Sequence, residues 1–239
     1  AKTYNLCFVT CMLDPSLMRE IRVPSGIGIR GNVKADGNKY ATKLAVTEGK
    51  GRLNLQASAD LKKKANGDFD MNRLAYQAKI QARNIQAKHF LPKQDLYSFT
   101  GDVEASGVGT DFLSPRTRMK AKARVASVHY GKYKIGNLLA VANIANGKIH
   151  ADVDSKNDYL KGLVSLDALT NSKNIQATVT ADVRHADLYR FQITQVPMMA
   201  ALCGHVDVNT DLGENYNVQA SIGDITLRTK EKTYRPVDV

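Results

Sequence analysis

Three observations predict an all-β fold, a long and mainly antiparallel sheet of hairpins with little helix. Polar and apolar residues alternate at period two through most of the chain, as in Gly101-Asp102-Val103-Glu104-Ala105. Turn dipeptides, Asn146-Gly147 the clearest, punctuate the alternating runs and are too short for a parallel crossover. Runs with helical spacing are confined to two short stretches. The 239 residues read as one continuous unit over 1–239.

From the start, AKTYNLCFVT alternates as a strand. Asp14-Pro15-Ser16 can open one helical turn over Leu17–Ile21, with the proline near the first helical position. The figure Gly-x-apolar-x-apolar then recurs at Gly31, Gly51, Gly101, Gly147, Gly162 and Gly204. It predicts a glycine at each strand entry and one apolar face beyond it. The unequal intervals between copies exclude a fixed-period solenoid. Asp36-Gly37, Asn66-Gly67 and Leu212-Gly213-Glu214-Asn215 mark further reversals. Asn146-Gly147 joins arms at 138–145 and 148–155, and Pro197–Leu202 is a second candidate for a helical turn.

A longer repeat lies over these strands. AKIQARNIQA at 78–87 and ATVTADVRHA at 177–186 align at an offset of 99, and in both the apolar parity slips before the last alanine, as at a β-bulge. Each copy runs on through an aromatic residue and a proline to a Gly-x-Val strand ending in Thr-Asp. Two related units, near 78–111 and 177–211, are therefore expected.

Composition narrows the function classes. Lys and Arg number 34 against 23 Asp and Glu, a net charge of +11 that permits an anionic partner without choosing one. No apolar run is long enough for a transmembrane helix, and the strand-like opening lacks the pattern of a leader, so an internal section of something longer is expected. Cys7 and Cys11 would stand roughly 13 Å apart along a strand, too far to bridge each other. A bridge from either to Cys203 is open, but no spacing asks for it.

Thirteen to fifteen strands would span on the order of 60–70 Å. Without amphipathic helices to cover it, the apolar face must close as a barrel, fold back as a sandwich or remain a groove. The absence of Trp, with only six Phe, and the abundance of Ala leave volume between facing walls. Small residues equally let two sheets approach, and composition alone favours a packed core. Parity assigns Ile80, Ala82, Val103, Ala105, Ile149, Ala151, Val153, Val164, Leu166, Val179, Ala181, Val206, Val208, Val218 and Ala220 to one kind of face.

The opposite parity is wet. Arg116, Arg118, Lys120, Lys122 and Arg124 fall on alternate positions of one predicted strand, about 6.8 Å apart. Such a strip protects a sheet surface against aggregation, or docks lipid headgroups or an acidic partner. No aromatic residues interleave with these cations for base stacking, so nucleic acid is not the expected partner. Lys62-Lys63-Lys64 reads as a solvated loop.

Catalytic patterns are weak. Gly26-Ile27-Gly28-Ile29-Arg30-Gly31 spells a dinucleotide fingerprint, but Val33-Lys34-Ala35 continues as a strand and supplies no helix N-terminus for a phosphate. His89, His129, His150, His185 and His205 are scattered, without metal-ligand spacing. Asp152 and Asp154 share a strand face, with no histidine expected beside them. No catalytic residue, metal or cofactor is assigned, and an enzyme is not expected.

The Gly-x-apolar-x-apolar strands, the unit at 78–87 and its partner at 177–186, and the stretch from His185-Ala186-Asp187 through Asn209-Thr210-Asp211-Leu212 to Ile225-Thr226-Leu227 resemble the TamB/AsmA-like envelope proteins, the TamB-like proteins of Bacteroidetes above all. The resemblance is one of texture and repeat style over the whole chain. It implies a U-shaped β-sheet groove across the periplasm, in a protein anchored in the inner membrane. It further implies phospholipid acyl chains as cargo, carried towards the outer membrane, and an Omp85-family barrel as a partner of regions outside this section. The fifteen residues above would then line the groove. The alternative is a structural or adhesive all-β surface domain with a closed core and no lipid cargo.

Overall fold

The structure, a computed structural model, describes residues 22, 24, 26–171, 173–213 and 215–236. Thirteen strands follow one another in a single sheet whose spatial order is the order of the sequence. They are β1 (Gly28–Asp36), β2 (Lys39–Glu48), β3 (Gly51–Asp60), β4 (Ala75–Ile85), β5 (Leu96–Val108), β6 (Arg118–Tyr130) and β7 (Tyr133–Ala145). There follow β8 (Lys148–Lys156), β9 (Leu160–Thr170), β10 (Ile175–Asp187), β11 (Met199–Thr210), β12 (Tyr216–Arg228) and β13 (Thr233–Tyr234). Every pairing is antiparallel. The helical content is one turn, α1 (Ala87–Phe90), and a 3-10 turn at Met71–Arg73.

The sheet is open. Its first and last strands do not pair with each other, and substantial packing between elements is confined to sequence neighbours, plus α1 against β5. The packed core that composition favours is therefore not what the described residues form: no second layer faces the sheet. The exposed area agrees. The chain exposes 16350 Å², against roughly 10,600 Å² expected of a compact monomer of this mass. Of the few buried apolar side chains, Val46, Ala82, Ile85, Ile144, Ala168 and Ala200 lie in strands, while Ile27 precedes β1 and Ala87 opens α1.

The turns show why the meander is regular. Asn146 and Gly147 have φ of 54° and 72° and join β7 to β8 in two residues, the geometry that positive φ at both positions allows. Gly37 and Gly131, also at positive φ, sit in the two-residue links β1–β2 and β6–β7. Longer links pin the ends of the sheet. The Thr170 hydroxyl donates to the carbonyl of Leu113, and the Tyr133 hydroxyl to the carbonyl of Phe191 at 3.2 Å.

A line of bulges crosses the sheet at one level. The register shifts after Ala82 between β4 and β5, beside Gly101 between β5 and β6, after Val183 between β10 and both of its neighbours, and beside Leu202 between β11 and β12. Asn84, Asn137 and Asp224, in left-handed conformation, mark it. Each bulge adds local twist and bends its strand, so their alignment gives the sheet a crease. The slips anticipated within 78–87 and 177–186 are two members of this line.

Three expectations need correction or limits. Pro197–Leu202 is not helical: β11 begins at Met199 and pairs at once with Arg228. Of the six recurrent glycines only Gly51 opens a strand; Gly147 is in a turn, and Gly31, Gly101, Gly162 and Gly204 lie inside β1, β5, β9 and β11. At Gly101 a Cβ would stand 2.8 Å from the Phe99 ring and 2.6 Å from the Arg124 carbonyl oxygen, so close approach, not strand entry, selects glycine there. The helical turn at Leu17–Ile21, the opening strand, Cys7 and Cys11 lie outside the described residues. Cys203 is a free thiol.

Candidate functional site

Directly opposed residues of an antiparallel pair share a face, so the register decides which side chains meet. Starting from Ile80, the opposed residues run Val103, Ala123, Ala140, Val153, Val164, Ala181, Gly204 and Ile222 across β5 to β12. A second row runs through Ala105, Ala121, Ala142, Ala151, Leu166, Val179, Val206 and Ala220. Ile149, Val208 and Val218 belong to a third, which includes Ala168 and Ala177. Ala82 belongs to a fourth, opposite Leu53 and Gly101. All fifteen residues singled out by parity therefore stand on one face of one sheet.

That face is broader than the fifteen. Leu44, Leu55, Met119, Leu138 and Ile144 obey the same alternation and extend it towards β2 and across the middle strands. Within it lies a run of alanines, Ala57, Ala78, Ala105, Ala121, Ala142 and Ala151, each opposite the next. Six strands at 4.7–4.9 Å make it about 24 Å long. Rows bearing Ile80, Val103, Met119 and Ile144 rise on either side. Polar atoms are sparse: Thr42, Ser155 and the phenols of Tyr40 and Tyr76 are the polar members of these rows. Val153, Val164, Val218 and Ile222 are 41%, 42%, 54% and 44% exposed, as expected of a face with nothing packed on it.

The other face carries the charge. Arg118, Lys120, Lys122 and Arg124 project together from β6, opposite Val108, Ser106, Glu104 and Asp102 of β5. Arg116 does not join them; it lies before β6, in the link whose Ser114 hydroxyl accepts from its backbone N–H. Glu104 and Asp102 are engaged from the other side, by Lys79 at 2.6 Å and Arg83 at 2.9 Å. The hydrogen bond and charge of Lys79 hold the Glu104 carboxyl below its ordinary pKa. The four β6 cations form no ion pair among the described residues.

A polar network that the sequence did not disclose lies on β8 to β11. His150 Nδ1 stands 2.7 Å from Asp167 Oδ1 and its Nε2 3.2 Å from Asp152 Oδ2. The expectation of no histidine beside Asp152 is thus overturned. The Asp167 hydrogen bond, with the charges of Asp152 and Asp167, raises the His150 pKa, since only the imidazolium donates from both nitrogens. Ser165 donates to Asp152 Oδ1 at 2.6 Å, so its hydroxyl engages the carboxylate instead of the imidazole a nucleophile needs. Nearby, the hydroxyl of Thr178 and then His205 hold the Asp207 pKa down. Strand pairing of 148–156 with 160–170 creates the first cluster, and no spacing rule encodes it.

Open recesses lie on this polar face, lined by polar-parity residues with the intervening apolar-parity residue between them. One of them, about 810 Å³, is lined by residues that include Asn143, His150, Asp167, Gln176, Asp207 and Gln219. No group of three or more His, Cys, Asp or Glu side chains among the described residues is placed to hold a metal ion, and no described helix is long and apolar enough to cross a membrane. Of the glycines at 26–31, Gly26 precedes β1 and Gly28 and Gly31 lie within it, so a strand stands where a dinucleotide requires a helix. The chain matches no family model, no curated protein and no solved structure.

Proposed function

We propose that the apolar face carries phospholipid acyl chains along the long axis of the sheet, across the strands, as a section of a conduit between the inner and outer membranes that supports outer-membrane assembly. The observation that carries this reading is the series of predominantly apolar rows from β1 to β12, over which the described residues lay no second layer. Leaving so much apolar surface in water is unusual for a folded chain and marks a surface that meets another apolar body. Each acyl CH₂ withdrawn from water gains about 0.8 kcal/mol. A lining of Ala, Val, Ile and Leu has almost no polar group to fix a chain at one point, so a chain can slide along it.

The resemblance to the TamB/AsmA-like envelope proteins supports the same reading and adds a periplasmic setting. The closed-core alternative requires a second layer, and the described residues supply none. The test is direct. The purified 239-residue chain is extracted and its phospholipid quantified, then titrated with a fluorescent fatty acid. Copurified phospholipid and saturable binding are expected; neither lipid nor binding, with the strands intact by circular dichroism, would reject the proposal.

A further inference from the structure

A phospholipid whose acyl chains lie on the apolar face has to put its phosphate elsewhere, because a charge held against that face loses its water without gaining a partner. The way out is over one of the two rims of the sheet, where the strands turn back. Links alternate between the rims. Those joining β2–β3, β4–β5, β6–β7, β8–β9, β10–β11 and β12–β13 turn at the rim beside the crease, and the others at the opposite rim.

The rims differ in charge and in aromatic contacts. The links of the creased rim hold seven Lys and Arg against three acids, those of the opposite rim six against five. All three cation–π contacts among the described residues lie at the creased rim. Lys88 stands over the Tyr97 ring at 5.5 Å, Lys132 over Tyr133 at 5.4 Å and Arg190 over Tyr159 at 5.5 Å. Both ring–ring contacts are there too: Tyr97 stacks on His129 at 4.8 Å, and Tyr133 meets Phe191 at 5.6 Å. Hydrogen bonds join the links into one border, from the Gly131 N–H to the Asp95 carbonyl and from the Asp187 N–H to that of Tyr159.

This border continues the apolar face. Ile85, Phe99, Val128 and Ile135 are opposed in turn beyond the bulges, and two residues further out Tyr130 opposes Tyr133. Lys88 is paired with Asp95 at 3.4 Å, and Lys132 bonds to the neutral amide of Gln192 at 2.5 Å. Lys93, Lys132 and Arg190 form no ion pair among the described residues. Tyrosines with cations among them are the composition found at headgroup level in a membrane interface. Lys and Arg make charge-assisted hydrogen bonds to phosphate.

We propose that the creased rim from the β4–β5 link to the β10–β11 link is a headgroup track. The acyl chains lie on the apolar face while the lipid phosphate passes over this rim, by way of Lys93, Lys132 and Arg190. The proposal rests on the acyl-chain reading above; it adds the rim that the headgroup takes and a preference for anionic phospholipid.

The test uses the purified 239-residue chain and two probes with the same fluorophore on one acyl tail, a phosphatidylglycerol and a diacylglycerol. Lys93→Glu combined with Lys132→Glu is expected to weaken phosphatidylglycerol binding at least ten-fold, from roughly five-fold for each cation beside an anionic headgroup. Diacylglycerol binding should stay within two-fold. Arg190→Gln, which removes a charge without reversing it, should weaken phosphatidylglycerol binding two- to five-fold and guards against a double variant that fails to fold. Lys63→Glu combined with Lys64→Glu makes the same change of net charge at the opposite rim, and is expected to leave both probes within two-fold. Normal diacylglycerol binding, with phosphatidylglycerol insensitive to the creased-rim variants or equally sensitive to both rims, would overturn the headgroup track and leave the acyl-chain reading standing. Binding of neither probe by the unaltered chain would reject both.

Discussion

Ala105 on β5 stands directly opposite Ala121 on β6, and both are flanked by further alanines on β4 and β7. On a sheet covered by a second layer such a row would sit inside a core, where an ionised side chain is among the most damaging substitutions. On an uncovered face it meets water or cargo. Ala121→Asp separates the two. It is expected to cost about 1 kcal/mol or less in urea unfolding, close to the strand propensity difference alone, while reducing fatty-acid binding at least ten-fold. A loss of several kcal/mol would indicate a buried layer instead.

The crease has its own test. Asn84 holds a φ of 51° at the β4 bulge. Asn84→Gly is expected to be neutral or slightly stabilising, because glycine takes this conformation freely. Asn84→Val should cost about 1–2 kcal/mol, the penalty of a left-handed L-residue, made worse by branching. Equilibrium denaturation of both variants measures the difference.

At the β7–β8 hairpin, Gly147 combines a φ of 72° with a position where a Cβ would stand 2.5 Å from the carbonyl oxygen of Thr170. Its own carbonyl accepts from the Thr170 N–H at 2.7 Å. Gly147→Ala is expected to destabilise by roughly 1–3 kcal/mol. A shift of the melting temperature to lower values, without loss of strand content below it, is the outcome to look for.

His150 gives a pH dependence with a defined sign. Its folded pKa is raised, chiefly by the hydrogen bond to Asp167. The stabilisation it contributes is therefore fully present below the unfolded histidine value and is lost as pH rises through the folded one. Proton NMR should show His150 titrating above its ordinary value, and Asp167→Asn should bring it back down. Asp207 behaves oppositely. Its folded pKa is lowered, first by Thr178, so its contribution is present above the unfolded carboxylate value and is lost as pH falls through the folded one. Thr178→Val should raise the Asp207 pKa.

Much of this architecture was legible in the chain because its code is local. Strand parity put Ile80, Val103 and Val206 on one face, and the register bears this out because two-residue turns such as Asn146-Gly147 leave little freedom in pairing. The slip within AKIQARNIQA announced a bulge, since only an inserted residue keeps Ala82 and Ile85 on the same side. What stayed hidden depends on neighbours distant in sequence. Gly101 reads as a strand-entry residue until the Phe99 ring and the Arg124 carbonyl are seen against it. Arg116 keeps the parity of the β6 cations yet falls before the strand begins. His150 meets Asp167 only because β8 pairs with β9, and Met199 starts a strand where a proline two residues earlier had suggested a helix. The openness of the sheet was the hardest to read, because alanine fits a close-packed sandwich as well as a smooth furrow.

The central claim, that the apolar face and not the charged one holds acyl chains, is tested most directly on a single strand. Val103 and Ser106 lie three residues apart on β5, in rows of opposite parity. A photo-crosslinking side chain is placed at each in turn, and the chain is irradiated with a phospholipid tagged in its acyl tail. Capture at Val103 at least ten-fold above that at Ser106 is the expected result; equal capture at the two positions, or capture at Ser106 alone, would contradict the account.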